Sequence, residues 1–319
     1  MALERRPCPP IIRPDRRVRR AGPVASGSAA NRARNCRNVK TPASPPPSDA
    51  PPPEHAFWRL GVVSYLNSRP LVHGLDADPA LELRFDVPSR LAALLDDGSV
   101  DAALVPVVDL AAPHRKWKVI SDACIGCDGE TLTVRVFSCL PPERVETIFV
   151  DGDSHTSVVL AQLIWRELYG RPVAVTPLAD APRDAAAVLL IGDKVVTDKP
   201  IDFEIETDLG AAWKSLTGLP FVFAAWAADA SADTTRLGRR LGQARDAGVR
   251  CASVIAEDVG PGMGWPVATA RRYLTSRLSF TMTPRHVQGM RRFLELAVRH
   301  RLLPDRAAFP GPVEELTFA

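Results

Sequence analysis

The sequence predicts an α/β fold with a largely parallel sheet. Two observations carry this. From Phe57 onward, apolar runs of strand length alternate with stretches of helical period. Several of those runs end in polar or glycine-containing loops that open helices, as happens where strands feed helices across a sheet. The composition agrees, with 46% hydrophobic and 24% charged residues, close to an ordinary globular chain that buries a core.

The elements follow in order. Arg59–Ser64 (RLGVVS) reads as the first strand and Leu81–Val87 (LELRFDV) as the second. Ser89 is placed to cap a helix carrying Leu91, Leu94 and Leu95, which stops at Gly98. Ala102–Val107 is a buried strand, Lys118–Ser121 a short one, and Leu132–Ser138 a longer one with alternation. Thr147–Val150 runs through Asp151-Gly152-Asp153-Ser154 into a helix burying Leu160, Leu163, Ile164 and Leu168, closed at Gly170. Ala186–Ile191 and Phe221–Trp226 are two more strands. Beyond Trp226 the period turns helical. Leu237, Leu241 and Ala244 form one face; Val267, Ala270 and Leu274 form another behind Pro266. Thr283-Pro284 supplies an N-cap and first-turn proline for a last helix bearing Val287, Met290, Phe293, Leu294 and Ala297.

Residues 1–56 differ from the rest. They hold 12 of the 30 prolines and 11 Lys+Arg against 4 Asp+Glu, with few apolar residues and no period. Such a segment cannot bury enough surface to offset its ordering entropy, so it reads as a disordered basic Pro/Arg-rich extension. The remaining chain is net acidic, so the overall charge of +3 gives no reason to expect nucleic-acid binding. The longest apolar run, Leu219–Ala228, falls well short of the roughly 18 residues of a bilayer span, and no membrane association is expected. Ala21–Ala30 makes too weak an apolar stretch for a secretory signal.

The six cysteines are scattered and form no disulfide framework. Cys124-Ile125-Gly126-Cys127 is followed by Asp128-Gly129, and the cluster reads as a turn with two unpaired thiols, not as a redox or zinc site. Unpaired cysteines without an export signal point to the cytoplasm. No nucleotide loop, HExxH, GxSxG or metal quartet is present, so no metal site and no serine-hydrolase signature is expected.

In open α/β sheets, ligands bind beyond the carboxyl ends of strands, near helix N-termini. Three segments answer that description. Ser64–Leu71 follows the first strand; there Tyr65, Asn67 and Ser68 offer hydrogen bonds and Arg69 a carboxylate fork. In Asp128-Gly129-Glu130-Thr131, the glycine lets backbone approach a ligand. Gly152–Ser157 combines hydroxyls with free N–H groups at a helix start, where an anion gains from the dipole. Ser154, Thr156 and Ser157 are its candidates, with a Thr156 hydroxyl donated to the ligand and His155 secondary. Each loop taken alone also fits a simple capping role.

The segment Gly61–Leu71 (GVVSYLNSRPL) resembles the opening motif of the chorismate dehydratases of the futalosine route to menaquinone. Val87–Val107, Ser121–Ser138, Leu189–Val195 (LLIGDKV), Asp208–Ala228 (DLGAAWKSLTGLPFVFAAWAA) and Arg271–Phe280 (RRYLTSRLSF) follow in the family's order. The resemblance runs from Trp58 to the C-terminus and omits the extension. It implies a two-lobed type II periplasmic-binding-protein-like fold with a hinge and an interlobe cleft. Residues 57–136 plus 229–319 would form lobe 1 and 137–228 lobe 2, with crossing strands near Val134–Ser138 and Phe221–Ala225. Two positions depart from the family pattern. Val107-Val108 stands where many relatives have serines. Glu130-Thr131-Leu132 stands where many have Gly-Pro-Val, and it brings a negative charge toward the expected cleft.

The implied reaction converts chorismate to 3-[(1-carboxyvinyl)oxy]benzoate and water. Aromatisation drives it, so no cofactor is required. Asn67 and Ser68 are then the catalytic candidates. Tyr65, Arg69, Gly129, Thr131, Ser154, Thr156 and Ser157 are the candidates for substrate binding. No side-chain base stands out, which leaves a substrate carboxylate to take the proton. Three readings compete: the sister enzyme forming 1,4-dihydroxy-6-naphthoate, a solute-binding protein, and a regulatory ligand-sensing module. The last has no accompanying helix-turn-helix.

Overall fold

The structure, a computed structural model, describes residues 57–305. The basic extension expected over 1–56 lies outside the described residues, as does the part of the expected lobe 1 beyond residue 305. The first part of the chain forms β1 (Trp58–Val63), β2 (Leu81–Asp86), α1 (Pro88–Asp96), β3 (Ala102–Pro106), α2 (Val107–Leu110) and β4 (Trp117–Cys127). The middle forms β5 (Val134–Ser138), β6 (Thr147–Val150), α3 (His155–Leu168), β7 (Ala174–Pro177), β8 (Ala187–Ile191), α4 (Lys194–Thr197), β9 (Ile205–Asp208) and α5 (Leu209–Thr217). The last part forms β10 (Phe221–Asp229), α6 (Thr235–Arg250), α7 (Ala252–Asp258), α8 (Val267–Arg272), β11 (Ser279–Thr281) and α9 (Pro284–Arg299).

The strands make two sheets. One has the order β11-β4-β10-β3-β1-β2 and the other β7-β6-β8-β5-β9. Both are mixed, which corrects the expectation of a largely parallel sheet. In the first, β1 runs parallel to β2 (Trp58 opposite Leu81) and to β3 (Leu60 opposite Ala102), while β10 runs antiparallel to β3 and β4. In the second, β6 is parallel to β7 and β8, and β5 is antiparallel to β8 and β9. The cause is that β5 and β10 are entered directly from the opposite sheet, and each inserts against the local strand direction.

The expected crossing strands are therefore not crossings. Val134–Ser138 lies wholly in the second sheet and Phe221–Ala225 wholly in the first. The connections between sheets are the turn at 128–133 on the way out and α5 with residues 218–220 on the way back. No described helix is long and apolar enough to cross a membrane.

Two local expectations change. The segment around Cys124 is a strand, not a turn: β4 runs eleven residues because β10 pairs along its whole length, from Cys127 opposite Phe221 to Trp117 opposite Asp229. Shifts in the pairing register accommodate the polar interruption at Ser121-Asp122, and Asp122 is held by Arg245 at 3.0 Å. Both thiols are buried and unpaired, and burial pushes both well above the ordinary thiol range, so they are inert packing groups. At α1, Val87 flanks the helix and Pro88 occupies its first turn, so Ser89 is not the cap. Its backbone N–H instead donates to the Asp153 carbonyl at 3.0 Å, between the two sheets' loops. At α9 the expected cap is present: Thr283 and His286 form a reciprocal capping pair with Pro284 behind them.

The core runs through both sheets. Trp165, Trp213 and Trp226 are fully buried. Trp213, Phe221 and Phe293 meet edge to face at 5.2–6.2 Å between centroids, which locks α5, β10 and α9 together beside the return connection.

Candidate functional site

The carboxyl ends of β1, β6 and β8 face one another across the gap between the sheets. The first loop begins where β1 ends. Pro70 and the Tyr65–Val72 segment coil into a 3-10 turn, Leu66–Val72, after an extended Tyr65. Ser68 is fully buried, and its hydroxyl donates to the carbonyls of Val63 (2.5 Å) and Tyr65 (3.0 Å). It shapes the loop and does not line the cavity. Asn67 does line it: its side chain is buried, and Oδ1 has no partner in the protein. An unpartnered buried acceptor in a residue that lines a cavity makes Asn67 a candidate ligand-binding group. Arg69 turns away. Its guanidinium lies 4.5 Å above the Phe85 ring, so the expected carboxylate fork is engaged in a cation–π contact outside the cavity.

The second wall is the β6–α3 junction. Ser154 caps α3 by accepting the Ser157 N–H at 3.2 Å, and their hydroxyls lie 3.0 Å apart. Both line the cavity. Thr156, next to Ser157 and about 100° round the helix, points toward α2. It is fully buried, and Oγ1 accepts the Val108 N–H at 3.2 Å, so it joins α3 to α2 and does not reach the cavity. His155 is half exposed and pairs with Asp109 at 2.9 Å. That carboxylate holds the imidazole above its usual range, and the ring lies away from the cavity.

The outgoing connection forms the floor. Thr131 and Thr133 line the cavity, on either side of Leu132, whose φ of +71° places a branched side chain in the left-handed region. The Asp208 carboxylate holds this backbone by accepting N–H groups of Thr131 (3.0 Å) and Leu132 (2.8 Å), while also capping α5 through Ala211 (3.0 Å). Strain fixed by such clamps is characteristic of ligand sites. Gly129 lies outside the cavity. Its φ of +126° lies in a region that favours glycine, and no protein atom stands within 4 Å of where a side chain would be. Glu130 is held by Arg135 (2.5 Å) and Arg277 (3.0 Å), so the negative charge expected near the cleft is neutralised at its edge.

Several groups at the site were not foreseen. The loop after β8 carries Asp193 and Lys194. Asp193 accepts the Leu66 N–H at 3.0 Å, and burial pushes its carboxyl up to about 6. Lys194 bridges Asp151 (2.6 Å) and Asp153 (2.5 Å); burial alone would lower its pKa, but the two carboxylates hold it above the ordinary range. Asp153 also accepts from the Tyr65 hydroxyl at 2.8 Å. Thus the two sheets' loops are tied by a Tyr65–Asp153–Lys194–Asp151 chain. The same positional rule that singled out the loops after β1 and β6 applies to Gly192-Asp193-Lys194 after β8. Tyr273, which also lines the cavity, lies in the π turn after α8, beyond the apolar face read from Val267, Ala270 and Leu274.

The cavity encloses about 440 Å³ with its open mouth included. Its polar lining is neutral: Tyr65, Asn67, Thr131, Thr133, Ser154, Ser157 and Tyr273, against apolar surface from Ile125, Ile191 and Phe223. Burial raises both tyrosines above the ordinary phenol range, so they act as protonated donors. An anion here is met by hydroxyls and the N-terminus of α3 and not by a lysine or arginine.

Residues 58–299 match the protein family described as menaquinone biosynthesis. A curated relative, the chorismate dehydratase of Thermus thermophilus, is 29% identical over 189 residues, covering 53% of this chain and 68% of the relative. Among solved structures, a protein from Archaeoglobus fulgidus superposes with a TM-score of 0.61 at 13% identity, covering 78% of this chain and all of that one. A Candida albicans protein described as having the generic periplasmic binding protein fold gives 0.55 at 13% identity, covering 78% of this chain and 91% of that one. These structural likenesses carry the fold: a periplasmic-binding-protein-like α/β arrangement, as the resemblance implied, with both sheets mixed where the sequence pattern pointed to parallel pairing.

Proposed function

The chain belongs to the menaquinone biosynthesis family, and from this premise we propose that its cleft dehydrates chorismate to 3-[(1-carboxyvinyl)oxy]benzoate and water. The observation that carries the reading is a cavity lined by Asn67, whose Oδ1 is buried without a protein partner, and on its other wall by the Ser154–Ser157 cap of α3. The Thermus thermophilus relative, 29% identical over 189 residues, carries the name chorismate dehydratase, which supports the reading.

Chorismate carries two carboxylates, and the cavity offers a helix N-terminus with hydroxyls at Ser154 and Ser157 to receive one of them. Neutral donors suit a reaction that must release its product, because they bind without the deep trap of a buried ion pair. The ring loses a proton from one carbon and hydroxide from its neighbour, and the two leave as water. Asn67 and the threonines orient the ring, and its apolar face meets Ile125, Ile191 and Phe223. The side chains that line the cavity include no carboxylate and no histidine, which supports a substrate carboxylate as the proton acceptor. In this reading the protein supplies position and electrostatics and aromatisation supplies the driving force.

The test is incubation of the full chain with chorismate, followed by ultraviolet spectra and product mass. Loss of one water with an aromatic spectrum supports the reading. Tight binding with chorismate returned intact favours a solute-binding role, and no interaction at all favours the larger substrate of the sister enzyme.

A further inference from the structure

The loop after β8 holds two consecutive residues of the β1 loop, the pair that precedes Asn67. Asp193 accepts the Leu66 N–H at 3.0 Å. Lys194, the next residue, acts on Tyr65 through Asp153. Its ammonium lies 2.6 Å from Asp151 Oδ2 and 2.5 Å from Asp153 Oδ2, and the same Asp153 oxygen accepts the Tyr65 hydroxyl at 2.8 Å. Asp153 is gripped through its backbone as well. Its N–H donates to Asp151 Oδ1 at 3.1 Å, and its carbonyl accepts the Ser89 N–H at 3.0 Å. Tyr65 and Ser89 belong to the elements of the first sheet, Asp151, Asp153 and Lys194 to those of the second. The residue after Asp153 is Ser154, the cap of α3, and both Tyr65 and Ser154 line the cavity.

We propose that Lys194 is a positioning residue for the dehydration: by fixing the Asp153 carboxylate where it receives the Tyr65 hydroxyl, it sets the Tyr65 wall of the cavity against the Ser154 cap. That it serves this reaction rests on the reading of the cleft as a chorismate dehydratase. Two carboxylates side by side repel and would spread the 151–153 turn; one ammonium with three N–H donors bridges them. A carboxylate already held from its own sheet takes the phenol proton with little further ordering, and such a charge-assisted bond is stronger than a neutral one. The Tyr65 ring packs against Gly192, so residues 192–194 place both the ring and, through Asp153, its hydroxyl. Neither Lys194 nor Asp153 lines the cavity, so Lys194 acts through Tyr65 and the start of α3. None of the expectations drawn from the sequence assigned Lys194 a role.

Lys194→Gln removes the charge; Tyr65→Phe removes the hydroxyl and leaves the ion cluster whole. In the full chain with chorismate as substrate, each lowers kcat/KM at least about tenfold, while Lys194→Arg stays within about threefold of the parent. The double variant is little worse than the worse single one, since both act through Asp153. Hydrogen–deuterium exchange gives a readout that needs no turnover. The Ser89 N–H lies in the first turn of α1, where no intrahelical acceptor exists, so its protection comes from the Asp153 carbonyl. Both variants speed its exchange at least about tenfold and leave the amides of β4 unchanged. An ion cluster that only stabilises its own turn would lower the melting temperature of Lys194→Gln and leave kinetics and Ser89 exchange in Tyr65→Phe as in the parent; that result overturns the proposal. Full kcat/KM in Lys194→Gln overturns it too, with the chorismate reading left in place. A parent that leaves chorismate unconverted overturns that reading and the catalytic part of the proposal, and the Ser89 exchange then decides whether Lys194 holds the two loops together.

Discussion

Gly192 sits against the face of Tyr65, so closely that a side-chain carbon at residue 192 would lie 2.5 Å from the tyrosine ring. The two residues come from opposite sheets, and Tyr65 also reaches Asp153. Gly192 adopts φ +71°, so a larger residue there is strained twice, by the backbone and by the ring. Gly192→Ala should cost about 1–3 kcal/mol of stability in the arrangement seen here. If that arrangement is the one that turns over substrate, kcat/KM falls at least about tenfold. Thermal melts and steady-state kinetics check both, and a fully active Gly192→Ala would show that the two loops need not meet so closely.

Asn67 and Ser68 are adjacent, and their variants should fail differently. Asn67→Ala removes an acceptor with no protein partner, so stability holds while kcat/KM falls at least about tenfold, or roughly 1.4 kcal/mol of transition-state binding. Ser68→Ala breaks hydrogen bonds to Val63 and Tyr65 and should cost about 1 kcal/mol of stability, with activity reduced only as the loop loosens. Melting curves beside kinetics separate the two. Equal losses in both assays for both variants would mean that the loop acts as one structural unit.

Much of this site was legible because it obeys a positional rule. The loops at Ser64–Leu71 and Gly152–Ser157 follow strands read correctly from the sequence, and both contribute to the cavity. Which side chain of a loop points inward was not legible. Ser154 and Ser157 lie about one turn apart and share a side of the α3 start, while Thr156, next to Ser157, is rotated toward α2; the sequence pattern singles out the Thr156 hydroxyl and does not separate these faces. Arg69 was misplaced because its partner, Phe85, lies on the neighbouring strand, and only the parallel β1–β2 pairing brings them together. Strand β4 was read as short because Ser121-Asp122 breaks its apolar run, and the burial that tolerates this depends on Arg245 from α6. Tyr273 depends on a π turn, which leaves no periodic signature over five residues.

The two faces of α3 give a further prediction. Thr156→Val keeps the shape but strands the buried Val108 N–H, so it should lower stability by about 1–3 kcal/mol. Ser157→Ala leaves the backbone cap intact, since Ser154 still accepts the residue-157 N–H, but removes a hydroxyl from the cavity. It should raise KM for a carboxylate substrate about three- to tenfold with little change in melting. The opposite assignment, with Thr156 controlling KM and Ser157 controlling stability, would place the ligand on the other side of the helix.

Asp193 sets a pH dependence whose sign can be worked out. Its carboxyl is pushed up to about 6, from an ordinary 3.8, chiefly by burial; the Leu66 N–H and the Arg69 charge oppose the shift without cancelling it. Below about pH 4 the group is protonated in both the folded and unfolded chain and contributes no difference. Between about 4 and 6 the folded chain keeps a proton that the unfolded chain has lost, so stability falls as pH rises through this window. Above about 6 the cost is constant, on the order of 1–3 kcal/mol. Asn at this position stays neutral and can still accept the Leu66 N–H, so Asp193→Asn should be more stable than the parent at pH 7.5, with the advantage fading as the pH approaches 4. Removing the charge also withdraws support from the partly buried Arg69 guanidinium, so the gain falls short of the full amount. Melting temperatures of the two proteins across pH 4 to 8 give the answer. If Asp193→Asn is the less stable protein at pH 7.5, then the Arg69 pairing outweighs burial, and Asp193 strengthens the contact between the loops most when it is charged.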